Sequence, residues 1–206
     1  MDAVDTRGVL ATADVDFDDA VLGHGLPPEV ELALRDAGAL RDDPPRAMAA
    51  LMRARSLEPD HPAVLIAFYR YYFYGHHLRL ARTVACEALV VGARTLGLPL
   101  LWREVPEQPL PGAADHVATR FYLWVLKGYA YLSLRLGDPD EARDALAKLR
   151  ALDPEDRVGA ALLEAVRQRR ERHAGGSDED EGPALPVFGA AAWARVSETI
   201  RPSGTV

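Results

Sequence analysis

Cysteine is almost missing from this chain of 206 residues, which contains only Cys86. A single cysteine excludes an internal disulfide framework. Because Cys86 lies in the apolar stretch 85–91, the sequence predicts a buried structural thiol there. A reactive nucleophile is the alternative, although the sequence places no partner base beside it.

Long hydrophobic runs and alternating β-branched residues are missing too. No apolar run reaches the roughly 18 residues of a membrane helix, and the N-terminus has neither the basic nor the apolar region of a signal peptide. We therefore expect a cytoplasmic protein that does not contact the membrane. Strands are not expected, because period-two patterns are hard to find.

The motifs of common catalytic and metal sites are also lacking. The chain has no phosphate-binding loop, no GxSxG elbow, no HExxH pair and no glycine-rich nucleotide turn. The adjacent His76 and His77 would point to different faces of a helix and could not chelate together. The stretch "DVDFDD" (14–19) has calcium-loop spacing, but Asp19 and Gly25 stand where that loop needs Gly and Glu. We expect no enzymatic activity, no cofactor and no metal.

The negative charge is concentrated at the two ends of the chain. The net charge is −7, with six carboxylates against one arginine in residues 1–20 and five against two arginines in residues 174–206. The segment between them is balanced, which argues against a nucleic-acid partner. The basic run "RQRRER" (167–172) indicates a solvated helix end, with RNA binding as the alternative.

Leucine and alanine dominate a chain that is 49% hydrophobic, which favours helices. This usage, with arginine preferred to lysine, is typical of a GC-rich bacterial genome. Composition divides the chain into an acidic flexible lead (1–25), an α-helical domain (26–173), a disordered acidic linker (174–189) and a short amphipathic segment (190–206). Four prolines within 97–112 predict an insertion at 96–122.

An internal repeat is the clearest pattern in the sequence. "AMAALMRARSLEP" (47–59) and "ARDALAKLRALDP" (142–154) match with their spacing intact. Each has a small residue, a leucine, a third apolar residue and a proline, separated by four, three and five residues. Small residues let two helices approach closely, and the proline stops the second helix.

These residues, with the turn-like "LGDPDEA" (136–142), resemble the tetratricopeptide repeat, a helix–turn–helix unit of 34 residues. On this frame the repeats run at 28–61, 62–95 and 123–156, and the middle one departs from the pattern at Ala85 and Ala93. The resemblance implies an all-α, helix-turn-helix repeat solenoid of about three TPR-like hairpins, with disordered acidic ends.

The aromatic stretch "AFYRYYFYGHH" (67–77) divides into two helix faces. Leu65, Phe68, Tyr69 and Tyr72 would pack against neighbouring helices. By resemblance, the other face lines the concave peptide-binding groove of the solenoid. With the matching places of the last repeat, the predicted groove residues are Arg70, Phe73, Tyr74, His77, Trp124, Lys127, Tyr131 and Arg135. The alternative is that these aromatics are core residues.

The resemblance implies a non-enzymatic adaptor or co-chaperone that binds a peptide segment of another protein. The family's clamp for chaperone tails is absent, because its places hold Leu32, Asp36, Ala67, Trp124 and Gly128. One alternative is a secretion-type chaperone for an exported protein. Another is a regulatory domain or enzyme with a small-molecule pocket near Trp102 and His116. The segment 190–200 could cap the solenoid or dock within the molecule into the groove.

Overall fold

Seven α-helices, and no strand, make up the regular structure of the residues that the structure describes. The structure is a computed structural model, and it describes residues 25–113 and 116–174. The helices are α1 (Pro28–Ala39), α2 (Pro44–Leu57), α3 (Pro62–Tyr74), α4 (Leu78–Leu96), α5 (Val117–Arg135), α6 (Pro139–Leu152) and α7 (Ala161–Ala174), with a short 3-10 turn at Trp102–Glu104. Nearly all of the predicted acidic lead, together with the linker and the 190–206 segment, lies outside the described residues.

The helices begin and end at strong local signals. Proline occupies the first turn of α1, α2, α3 and α6, where its missing N–H costs nothing. Asp43 caps α2, because its carboxylate accepts a hydrogen bond from the Arg46 backbone N–H at 3.3 Å. Asp138 stands at the corresponding position before α6, but its side chain pairs with Arg82 at 3.1 Å and makes no cap hydrogen bond. Gly97, with a φ of +66°, ends α4 in the left-handed conformation.

From α1 to α6, each helix packs on the next one along the chain. The pairs α1–α2, α3–α4 and α5–α6 are helical hairpins, and α2–α3 and α4–α5 contacts join them in sequence. This arrangement confirms the predicted all-α helical-repeat solenoid. Residues up to Arg169 belong to one unit, and the last residues of α7 belong to a second. No helix in the described ranges is long and apolar enough to cross a membrane.

The internal repeat reappears in the structure as two matching helices. Both α2 and α6 are 14 residues long and begin at a proline, and a proline follows two residues after the end of each. Their C-caps have nearly the same backbone angles, with φ of −136° at Glu58 and −131° at Asp153. The repeated small and leucine positions are all buried: Ala47, Leu51, Ala54, Ala142, Leu146 and Leu149. The spacing therefore marks the packed face of the second helix in each hairpin.

The contact between α4 and α5 joins the middle and last hairpins. Gly92 on α4 lies against Phe121 and Tyr122, which belong to the first turns of α5. Tyr122 is completely buried, and its hydroxyl has no hydrogen-bond partner among the described residues. Burial raises the pKa of this phenol to about 12. The hydroxyl therefore stays neutral and loses its hydration without compensation.

Replacing Tyr122 by phenylalanine should raise the free energy of unfolding by about 1 kcal/mol, because it removes a buried polar group that has no partner. Urea unfolding followed by circular dichroism would measure the change. Tyr129→Phe is the matched control, since that hydroxyl donates to Glu141 and its loss should lower stability by about the same amount. Equal destabilisation by both substitutions would contradict the prediction.

The chain between α4 and α5 is a strap packed along α5 and α6. Its Val105 carbonyl accepts a hydrogen bond from the buried Lys148 ammonium at 2.7 Å, and its Leu110 N–H donates to the Leu152 carbonyl at 2.9 Å. The described residues of the strap are 97–113 and 116, because α5 already begins at Val117. Residues 117–122, included in the predicted insertion, are thus helical.

The last helix begins later than the sequence indicates. The pattern predicts a helix over 154–172, but α7 starts at Ala161. Asp153 stabilises the loop between α6 and α7, since its carboxylate accepts a hydrogen bond from the Val158 N–H at 3.0 Å. Asp156 then accepts from the Ala160 N–H at 2.5 Å, which caps the helix start. Hydrogen bonds to these two aspartates therefore stabilise a loop before α7, and the helix starts only after it.

The basic run at the end of α7 is not wholly solvated. Arg167 is buried and holds the Glu164 carboxylate with two hydrogen bonds, at 2.9 and 2.8 Å. These bonds lower the pKa of Glu164 to about 2. The first arginine of "RQRRER" therefore has a structural role within the helix.

Candidate protein-binding surface

The aromatic run of α3 faces two ways. Phe68 is buried, with the Arg55 guanidinium 5.2 Å from its ring centre. Tyr71 donates a hydrogen bond from its hydroxyl to the Pro44 carbonyl at the start of α2, at 3.1 Å. Tyr72 lies beside Phe68, with ring centres 6.1 Å apart. This side of α3 thus holds hairpins together, as the sequence predicts for Phe68 and Tyr72.

The other side of α3 meets α5 through aromatic rings. Tyr69 stacks on Phe73 with ring centres 5.8 Å apart and an interplanar angle of 10°, and it meets Trp124 edge-on at 5.8 Å. Phe73 contacts Tyr131 at 5.8 Å and Tyr74 at 5.5 Å. We call Tyr69, Phe73, Tyr74, Trp124 and Tyr131 the α3–α5 aromatic surface. Tyr74 is 45% exposed, and the other four members are half-buried.

A glycine on α5 leaves room for the Tyr69 ring of α3. A Cβ atom at Gly128 would lie 2.9 Å from the Tyr69 hydroxyl, closer than side chains tolerate. Burial raises the pKa of the Tyr69 phenol, so the ring is a neutral partner for its neighbours. The glycine in mid-helix is therefore explained by packing, and it positions the ring at the centre of the surface.

Two arginines accompany the surface. Arg135 is exposed and donates to the Tyr131 hydroxyl at 2.8 Å, with its guanidinium 5.8 Å from the Tyr131 ring centre. Arg70 is half-buried on α3, three and four residues before Phe73 and Tyr74, and therefore on the same helix face. Arginine beside aromatic rings is the usual composition of the central residues in protein interfaces.

Two predicted groove residues are not part of this cluster. Lys127 donates from its ammonium to the Val158 carbonyl at 2.5 Å, which ties it to the loop before α7. His77 lies beside Tyr72, with ring centres 6.4 Å apart. Because α3 ends at Tyr74 and the chain turns at His76 with a φ of +59°, helix geometry does not extend to His77.

Tyr69 is the central residue of the surface. The sequence predicts that it packs against neighbouring helices, and its ring contacts Trp124 of α5, but the sequence did not predict its contact with the groove residue Phe73. Gly128 is the sequence signal for this contact, because a glycine within a helix costs stability and usually has a packing reason. Phe73, Tyr74, Trp124, Tyr131 and Arg135 do come together through their contacts with one another or with Tyr69.

The strap region proposed as a small-molecule pocket is occupied by packing contacts. Trp102 is 8% exposed, with its ring centre 6.0 Å from that of Tyr129 and the Arg103 guanidinium 4.4 Å above it. Glu141 accepts hydrogen bonds from both Tyr129 and Arg103. The His116 Nδ1 lies 3.2 Å from the Thr119 hydroxyl. These contacts join the strap to α5 and α6.

The prediction of a buried thiol at Cys86 is wrong. Cys86 is exposed, because it lies on the solvent face of α4, whereas apolar residues near it in sequence lie on the buried face of that helix. Partial desolvation raises the pKa of the thiol, and Glu141 and Glu87 add to the shift. Since the thiolate is the reactive form, this raised pKa disfavours nucleophilic chemistry. No group of three potential metal ligands occurs among the described residues.

Comparison with known proteins adds one similar sequence. The chain is 42% identical over 103 residues to an "Uncharacterized 19.8 kDa protein in nifW 5'region" of Azotobacter chroococcum mcd 1. The match covers 48% of this chain and 57% of that relative, so the chain spans little more than half of the relative's length. No family model and no solved structure matches the chain.

Proposed function

We propose that this chain is a TPR-like adaptor or co-chaperone that binds a segment of another protein on the α3–α5 aromatic surface. The observation that carries the proposal is a row of contacts that ends in two exposed side chains. The exposed Tyr74 contacts Phe73, and Phe73 contacts Tyr131. The exposed Arg135 donates a hydrogen bond to the Tyr131 hydroxyl. The rings offer apolar area, and the arginine offers charge-assisted hydrogen bonds to a carboxylate. No chemical step is needed for this role, which we place in the cytoplasm.

The relative's name supplies a first set of candidate partners. It places that protein's gene in the region 5′ of nifW. We propose that proteins encoded beside nifW, or beside the gene for this chain, include the partner. Their co-purification with the tagged chain is the direct observation to seek.

The double substitution Tyr74→Ser and Arg135→Ser should reduce partner capture at least about tenfold while leaving the fold unchanged, because both side chains project from the surface. Capture from the native cell, quantified by mass spectrometry, gives the measurement. Trp124→Ala would be a poorer variant, since Trp124 also lines a small apolar cavity with Leu65 and Val125.

A matched control variant lies on another helix. Leu80 on α4 is 48% exposed, close to the 45% of Tyr74, and the neighbouring Arg79 is exposed as well. Leu80→Ser with Arg79→Ser therefore removes the same kinds of group from a different surface. If capture is unchanged in the first variant, or falls equally in both, the α3–α5 aromatic surface is not the binding site.

A further inference from the structure

Helices α3 and α5 contain no acidic residue. Their charged side chains are Arg70, Arg120, Lys127 and Arg135. The wider stretches 62–86 and 116–137 also lack aspartate and glutamate. Because carboxylates elsewhere in the chain are common, this distribution gives the α3–α5 aromatic surface a local positive potential. The surface therefore suits a ligand that combines negative charge with an aromatic group.

The chain itself contains a segment with that chemistry. Residues 14–19, "DVDFDD", place four aspartates around Phe17, which is the only aromatic residue in 1–24. Asp19 and Gly25 stand where a calcium loop needs Gly and Glu, so the aspartates need another explanation. Asp16 and Asp18 flank the ring and could meet arginines on either side of an aromatic contact.

We propose that the N-terminal segment 14–19 binds in cis to the α3–α5 aromatic surface. The Phe17 ring packs against Tyr74 and Phe73, and the aspartates beside it pair with Arg70 and Arg135. The segment thereby occupies the surface that the proposed partner would use, and a partner must displace it. The inference itself needs no partner, so it can fail or succeed independently of the proposed function.

The length of the chain permits this contact. Phe17 lies eight positions before Gly25, the first described residue, and this stretch spans up to about 28 Å when extended. That distance covers roughly three spacings of 8–10 Å between packed helices. A tether this short produces an effective concentration on the order of millimolar, so a contact of modest strength suffices.

Photo-crosslinking of the full-length chain tests the proposal. Phe17 is replaced by p-benzoylphenylalanine, which keeps an aromatic ring at the position, and the purified protein is irradiated and mapped by mass spectrometry. We expect intrachain crosslinks to peptides that contain 69–74 or 124–135. Crosslinks mainly to other peptides, crosslinks only between molecules, or no crosslink to these peptides would overturn the proposal.

Charge reversal tests the ionic part of the contact. Arg70→Glu with Arg135→Glu should reduce the crosslink yield roughly tenfold, because like charges would then face each other. Arg41→Glu with Arg79→Glu changes the net charge equally at exposed positions on other elements and should leave the yield unchanged. Equal yields in the two variants would overturn the proposal.

Two further measurements keep the test decisive if a variant fails to fold. Raising the salt to about 0.5 M should lower the wild-type yield several-fold, since added ions screen exposed charge pairs. The same probe at Trp193 examines the C-terminal segment as the competing occupant. Crosslinks to the surface from position 193 and none from position 17 would overturn the proposal.

Discussion

Phe68→Ala is expected to lower the free energy of unfolding by about 3–5 kcal/mol, which is the largest effect we predict for a single side chain. Phe68 is 1% exposed and packs beside Tyr72, and the Arg55 guanidinium lies over its ring. Truncation removes the transfer free energy of the ring and leaves a cavity between hairpins. Because the contact with Arg55 joins the first hairpin to the second, the loss should destabilise the whole unit.

Tyr74→Ala is the control for this prediction. It removes a ring of similar size from the same helix, but that ring is 45% exposed at the last residue of α3. The expected loss is within about 0.5 kcal/mol. Urea unfolding of both variants measures the difference. If the two variants lose the same stability, the assignment of Phe68 to the core and Tyr74 to the surface is incorrect.

Gly92→Leu is expected to lower the free energy of unfolding by about 2–3 kcal/mol. A Cβ atom at this position would already lie 3.2 Å from Tyr122 and 3.4 Å from Phe121, and the rest of a leucine has no space. Helices α4 and α5 would have to move apart. Since this contact joins the middle and last hairpins, the melting temperature should fall with little change in helical content below the transition.

Gly38→Leu provides the matched substitution. Gly38 is exposed on α1, and a Cβ atom there would have no neighbour within 4 Å. Because leucine has a higher helix propensity than glycine, this variant should gain up to about 0.5–1 kcal/mol. Thermal and urea unfolding of the two variants would show opposite signs. A stabilised Gly92→Leu variant would show that α4 and α5 can separate at no cost.

Local sequence patterns predicted the structure correctly where it depends on residues within one short stretch. The repeated spacing of alanine, leucine and proline predicted the ends and the buried face of α2 and α6. Proline at the helix starts and the cap at Asp43 also act over a few residues. Such signals are readable because their energies depend on neighbours within one or two turns.

Sequence patterns did not predict the position of a side chain where that position depends on residues distant in sequence or on the end of a helix. Cys86 has apolar neighbours in sequence, yet it faces solvent because the helix buries its other side. His77 was placed by helix periodicity, but α3 has already ended at Tyr74. Tyr69 lies between two helices, and its place depends on Gly128, which is 59 residues away. Composition says nothing about such pairings.

The sequence by itself determined that this protein is all-α, that its helices form repeated hairpins, and that its acidity lies at the ends, because propensity, caps and periodicity act locally. Only the tertiary structure decided which aromatic residues meet. The contacts of Tyr69 with Trp124 and of Phe73 with Tyr131 join α3 to α5 across the intervening α4. They exist because α4 packs against both helices and Gly128 leaves room for the Tyr69 hydroxyl, and they create the surface on which both proposals depend.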